Sequence, residues 1–143
     1  MQAGDELTVL DLVMRGFDRF VRPDFSAQGV EEFCSAAKSF VVDHAPGHRV
    51  TLARKDGALI GMVDVRDDSH ISLFFVDPDM TGCGVGGNLL ALVEARSRAV
   101  GIGVLSVNSS PWAVPMYESL GFVATAGEAE VNGIRFVAMT KEL

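Results

Sequence analysis

The sequence predicts an α/β (α+β) fold in which a mixed, mostly antiparallel central sheet carries helices on both faces. Three observations lead there. Two segments of helical period open the chain. Strand pairs flank the turn dipeptides Asp56-Gly57 and Asn132-Gly133, both strong two-residue hairpin signals. Between them lies a strand–helix–strand run, and such a crossover makes its two strands parallel. No repeat, low-complexity tract or linker divides the 143 residues, so one domain, 1–143, is expected.

The first helix is predicted over Thr8–Arg22. Leu10, Val13, Phe17 and Val21 recur at helical spacing, and Pro23 stops it. The second is predicted over Ala27–His44, with Ser26 as N-cap and Val30, Phe33, Ala37, Phe40 and Val41 as its apolar stripe. Strands Arg49–Arg54, Ala58–Arg66 and His70–Val76 follow, and Pro78 excludes strand continuation inside a sheet. A glycine-rich stretch then opens a helix to about Val100, with Leu89, Leu90, Val93 and Val100 as its buried face. Glu94 and Arg98 stand four apart and can pair on its outside. Strand Ile102–Asn108 precedes Ser109-Ser110-Pro111, a helix-start pattern, and a short helix to Ser119. Pro115 costs that helix a hydrogen bond unless it begins near Ala113. Strands Phe122–Val131 and Ile134–Thr140 close the chain.

Composition narrows the function classes. A formal net charge of −7 argues against non-specific nucleic-acid binding, which needs a basic face. Two cysteines, Cys34 and Cys83, are too few for a disulfide framework and suit a reduced compartment. The N-terminus lacks the basic start and apolar run of a signal peptide, and no apolar stretch is long enough to span a membrane. A cytoplasmic protein with no membrane or nucleic-acid partner is expected.

The stretch Thr81-Gly82-Cys83-Gly84-Val85-Gly86-Gly87-Asn88 carries the most chemistry. Glycines let backbone N–H groups approach a ligand, and a helix N-terminus attracts phosphate. Gly82, Gly84 and Gly87 spell the dinucleotide fingerprint by letter. That pattern needs an acidic residue about 20 positions on, and none lies between Glu94 and Glu118. A triphosphate-binding loop fails for want of Gly-Lys-Ser/Thr.

The loop resembles the pyrophosphate loop of the GNAT acetyltransferases. Val76-Asp77-Pro78 is followed by Gly82, Gly84 and Gly86 and by Leu89-Leu90, with Thr81 standing where the family usually has Arg or Gln. A second element is similar to the family's tyrosine motif: Ala113, Tyr117, Gly121 and Phe122 match, while the motif's Asn is Ser110, with Asn108 two residues earlier. The resemblance is close from His70 to the end and covers the N-terminal part only in helix order.

It implies an acyl-CoA N-acyltransferase fold, acetyl-CoA as co-substrate, no metal, and transfer of the acetyl group to a primary amine of a small molecule or protein. The alternative is a catalytically silent acetyl-CoA-binding sensor. The pantetheine arm would lie between strands His70–Val76 and Ile102–Asn108, held by Phe75 and Val76, with Asn108 and Ser110 nearby. The pyrophosphate would meet Gly82, Cys83, Gly84, Val85, Gly86, Gly87 and Asn88. Tyr117, the chain's only tyrosine, would be the general acid. His70 is the candidate general base: some members of the family place a Glu or His at this strand position, six residues before the counterpart of Val76, and strict alternation puts it on one face with Ser72 and Phe74. Asp64 is a second, weaker candidate, whereas His44 and His48 read as surface residues around a turn. The acceptor pocket is expected from the two N-terminal helices and the hairpin near Glu128–Gly133. The family admits homodimers.

Overall fold

The computed structural model describes residues 1–143. Helix α1 spans Glu6–Gly16 and continues through a π-helical turn, Phe17–Val21, and a 3-10 turn, Arg22–Asp24. The predicted helix over Thr8–Arg22 is therefore one trajectory with a widened end, and Pro23 sits inside its last turn, where its missing N–H does no harm. Helix α2 spans Ala27–Val41, and the Ser26 hydroxyl caps it by accepting from Gly29 N–H at 3.2 Å. Strands β1 (His48–Lys55), β2 (Ala58–Arg66) and β3 (His70–Val76) follow, then α3 (Val85–Ala99), β4 (Val104–Ser109) and α4 (Val114–Ser119). Pro115 lies in the first turn of α4 and breaks no helical hydrogen bond. No strand precedes α1.

The predicted strand Phe122–Val131 is two pieces, β5 (Val123–Ala124) and β6 (Ala129–Val131). Both pair with β7 (Ile134–Glu142), one at its far end and one across the Asn132-Gly133 turn. The intervening Thr125-Ala126-Gly127-Glu128 has no apolar alternation to hold it in the ladder. The sheet order is β1-β2-β3-β4-β7-β5, with β6 on β7. Only β3 and β4 are parallel, as the crossover through α3 requires.

Helices cover both faces. On one, Leu89, Leu90 and Val93 of α3 and Tyr117 of α4 pack with Val63, Val65, Ile71 and Val107. On the other, Val9, Leu12 and Val13 of α1 and Ala37 and Val41 of α2 pack with Met62 and Leu73. Val100, expected in the buried face of α3, is the helix's C-cap and is 48% exposed. Glu94 pairs with Arg98 as expected, and also with Lys141 of β7. No helix is long and apolar enough to cross a membrane.

Candidate active site

The parallel pair is short. β3 and β4 are in register only at His70↔Ser106 and Ile71↔Val107. Beyond Ile71 the strands part, and the edge of β3 facing β4 has no strand partner from Ser72 to Val76. A bulge coincides with the parting. In the β2–β3 ladder Asp64 faces Leu73 while Val65 faces Ile71, so Ser72 is the extra residue.

The bulge also reverses the phase of β3. Ile71 and Phe74 both pack on the α3/α4 side, although strict alternation would send them to opposite faces, and Leu73 packs on the α1/α2 side. Strict alternation placed His70, Ser72 and Phe74 on one face; the bulge removes that premise. His70 lies at the closed end of the gap, where its Nδ1 is 2.8 Å from Ser106 Oγ, and it does not line the cavity. Burial, with Arg66 and His48 adding repulsion, lowers its pKa from the ordinary histidine value.

The gap opens into a cavity of about 770 Å³. One end is walled by the glycine loop, where Gly82, Gly84, Val85, Gly86 and Gly87 are in the lining and Cys83 and Asn88 are exposed outside it. Gly84 takes φ +80 as the residue that starts α3. A side chain added at Gly82, Gly84 or Gly87 would meet open space rather than protein. That is the arrangement expected where backbone must stay accessible to a ligand at a helix N-terminus. Thr81 donates its hydroxyl to the Pro78 carbonyl at 3.0 Å and fastens the loop's start.

The middle of the cavity lies along Phe75 and Val76 of β3, with Asn108 and Ser110 at the end of β4. The Ser110 hydroxyl caps the following turn by accepting from Ala113 N–H at 3.3 Å. Tyr117 projects from α4 between Phe74 and Phe122, with ring centroids 6.1 and 5.4 Å away. It is 4% exposed, lines the cavity, and burial pushes its hydroxyl pKa well above the ordinary tyrosine value.

The far end is built from α1, α2 and the β6–β7 hairpin. Phe20 and Trp112 stack at 4.2 Å across the cavity wall. Phe33 stacks on the fully buried Phe17 at 4.0 Å and meets Phe75 edge-on at 6.2 Å. The hairpin is clamped to α2: Ser26 N–H donates to the Gly133 carbonyl at 3.2 Å, and Gly29 lies so close that a Cβ there would run into that carbonyl.

Two titratable groups differ from the sequence reading. His48 is a buried partner rather than a surface residue, its side chain 5% exposed. Its Nδ1 is 2.6 Å from Asp64 Oδ2, and Phe40 stacks on its ring at 4.0 Å. Asp64 is fully buried with Oδ1 unpartnered, and desolvation raises its pKa against the opposing pull of His48. Phe40, not Asp64 or His48, forms the cavity wall at this point. A lone histidine after Pro46-Gly47 carried no signal of this pairing; it follows from the register His48↔Arg66, which places it beside Asp64. His44 is exposed and pairs with Glu6, as a surface residue should.

A sheet splayed at one parallel pair, with a glycine loop at a helix N-terminus and a buried tyrosine beside the gap, defines an acyl-CoA-type acetyltransferase fold. The sequence matches the family described as "Acetyltransferase (GNAT) domain" over residues 21–143, and the chain belongs to it. Among solved structures, a GCN5-related N-acetyltransferase from Rhodopseudomonas palustris superposes with a TM-score of 0.85 at 24% identity, covering 100% of this chain and 92% of the other. The PaiA N-acetyltransferase of Thermoplasma acidophilum, in complex with coenzyme A, gives 0.79 at 14% identity, covering 100% and 96%. An aminoglycoside 6'-N-acetyltransferase complexed with coenzyme A gives 0.68 at 12% identity, covering 99% and 94%. No curated protein matches the sequence.

Proposed function

We propose that this chain binds acetyl-CoA in the gap between β3 and β4 and transfers the acetyl group directly to a primary amine, with Tyr117 as the general acid. The observation that carries the reading is the unpartnered edge of β3 from Ser72 to Val76, in a cavity lined also by the glycine loop and by Tyr117 beside Phe74. An extended pantetheine arm can add to such an edge as a strand does. Backbone N–H groups at the start of α3 suit a pyrophosphate, and the open space around Gly82, Gly84 and Gly87 leaves them accessible. The coenzyme A bound in two of the structural neighbours supports the same choice of ligand.

Acetyl-CoA supplies an activated acetyl thioester. Backbone N–H groups along Ser72–Val76 stand where a developing oxyanion can be received. Tyr117 protonates the departing thiolate. Its raised pKa keeps the proton on the hydroxyl through neutral and mildly alkaline pH, as an acid requires. The predicted base, His70, is at the closed end of the gap and takes no part in this scheme.

The test is thiol release from acetyl-CoA against a panel of amines, comparing the native chain with Tyr117→Phe. We expect kcat to fall by about 10²–10⁴-fold with acetyl-CoA affinity nearly unchanged. Equal loss of both would assign Tyr117 to packing. Tight acetyl-CoA binding with no transfer to any amine would favour a sensor.

A further inference from the structure

We infer that the acceptor is an aryl-bearing amine taken up as the neutral base, not a polycation or a lysine side chain; this deepens the proposed acetyl transfer and rests on it. Two independent features of the acceptor end point there.

The first is its surface. Phe20, Phe25, Phe33, Phe40, Trp112 and Phe136 all face the cavity. Several are locked against one another: Phe25 meets Phe17 edge-on at 5.5 Å and Phe33 at 6.5 Å, beside the Phe17–Phe33 and Phe20–Trp112 stacks. Such a wall offers edges and faces for a flat ring, and ring pairs favour offset or edge-on contact.

The second is what is missing from the lining. Arg135 is its only charged side chain, and no carboxylate or imidazole belongs to it. The neighbouring titratable groups are either engaged elsewhere or turned to solvent. Arg135 holds Glu128 at 2.8 Å and Asp24 at 3.3 Å, so these two carboxylates are spent on it, while Glu130, opposite Arg135 in the hairpin, and Glu118, beside Tyr117, are exposed to solvent and lie outside the lining. Asp77, at the loop end, pairs with Arg15 and caps the next turn. His70 bonds Ser106, and His48 with Asp64 lies behind Phe40. Tyr117 keeps its proton. An ammonium ion entering this space would give up part of its hydration with no anion to meet it. An alkylamine with pKa of about 10.4 arrives almost wholly charged at neutral pH. An arylamine, its lone pair delocalised into the ring, arrives neutral. Its nitrogen forms the N–C bond as the C–S bond breaks, the thiolate takes the Tyr117 proton, and the amine's proton leaves to water, which returns a proton to the Tyr117 phenolate.

The experiment measures kcat/KM for aniline, 2-phenylethylamine, spermidine and Nα-acetyl-lysine across pH, with acetyl-CoA binding measured alongside. Both aryl acceptors should exceed spermidine and Nα-acetyl-lysine by about tenfold or more. The aniline profile should be flat from about pH 6 to about pH 9, while 2-phenylethylamine should gain about tenfold per pH unit as its own ammonium is lost. Phe25→Leu should raise KM for aniline about three- to tenfold and leave acetyl-CoA affinity unchanged. Preference for spermidine or Nα-acetyl-lysine, or an acid limb on aniline, would overturn the inference while leaving acetyl transfer standing. Absence of both acetyl-CoA binding and transfer would overturn the proposed function itself, and this inference with it.

Discussion

The two ends of the cavity are made of different material. At the end proposed for the coenzyme the chain presents backbone: a strand edge without a partner, and a loop whose glycines leave space at the start of α3. At the end proposed for the acceptor it presents side chains, mostly aromatic rings drawn from α1, α2, the turn before α4 and the β6–β7 hairpin. Backbone recognition tolerates many side chains and demands particular torsions. Side-chain recognition tolerates many torsions and demands particular residues. Substitutions at the two ends should therefore fail in different ways.

The coenzyme end should break hardest on a torsion. Gly84 holds φ +80, a conformation that a β-branched residue adopts only at a penalty of about 1–3 kcal/mol. Gly84→Val should weaken acetyl-CoA binding by about ten- to a hundredfold in calorimetry. The same strain, with nothing within 4 Å of that position to clash, should lower the melting temperature by only about 3–12 °C. A large loss of stability with normal affinity would reverse the assignment.

The acceptor end should break next on a packing contact. Gly29 is where α2 touches the hairpin, and the two clamp each other through Ser26 and Gly133. Gly29→Ala forces them apart, so denaturant unfolding should show a loss of about 1–3 kcal/mol. The amine KM should rise more than the acetyl-CoA dissociation constant, since Asn132 and Arg135 of the hairpin line the acceptor end. Equal changes in both would mean that the two ends are not separable.

The smallest effect belongs to the closed end of the gap. The folded-state pKa of His70 is depressed, so folding favours its neutral form. Stability from this source is complete above the ordinary histidine value of about 6.5 and is lost as pH falls through the lower folded value. His70→Asn should flatten the melting temperature over that acid range and leave turnover at neutral pH nearly unchanged. A steep loss of turnover would restore His70 as a base.

The same contrast explains what could be read in advance. The loop Gly82–Gly87 and the run Ala113–Phe122 are local in sequence, and they carry the family resemblance that implies a helix N-terminus and a tyrosine beside one gap. The hairpins at Asp56-Gly57 and Asn132-Gly133 are equally local, and both turns take the positive φ angles that such dipeptides favour. The bulge at Ser72 is not local. It depends on how β2 and β3 register, and it moved Phe74 to the face opposite the one alternation predicts relative to His70. The His48–Asp64 pair needs the β1–β2 register for the same reason. The broken strand between Phe122 and Val131 was hidden because its two pieces share one partner, β7. The aromatic lining was visible only as helix stripes: Phe33 and Phe40 read as core, and no periodicity distinguishes a ring that fills a core from one that walls a cavity.

The most direct test of the account is a structure of the acetyl-CoA complex. It should place the pantetheine arm along Ser72–Val76, the pyrophosphate over Gly82–Gly87, and the sulfur within hydrogen-bonding reach of the Tyr117 hydroxyl. A coenzyme seated elsewhere, or a sulfur directed away from Tyr117, would contradict it.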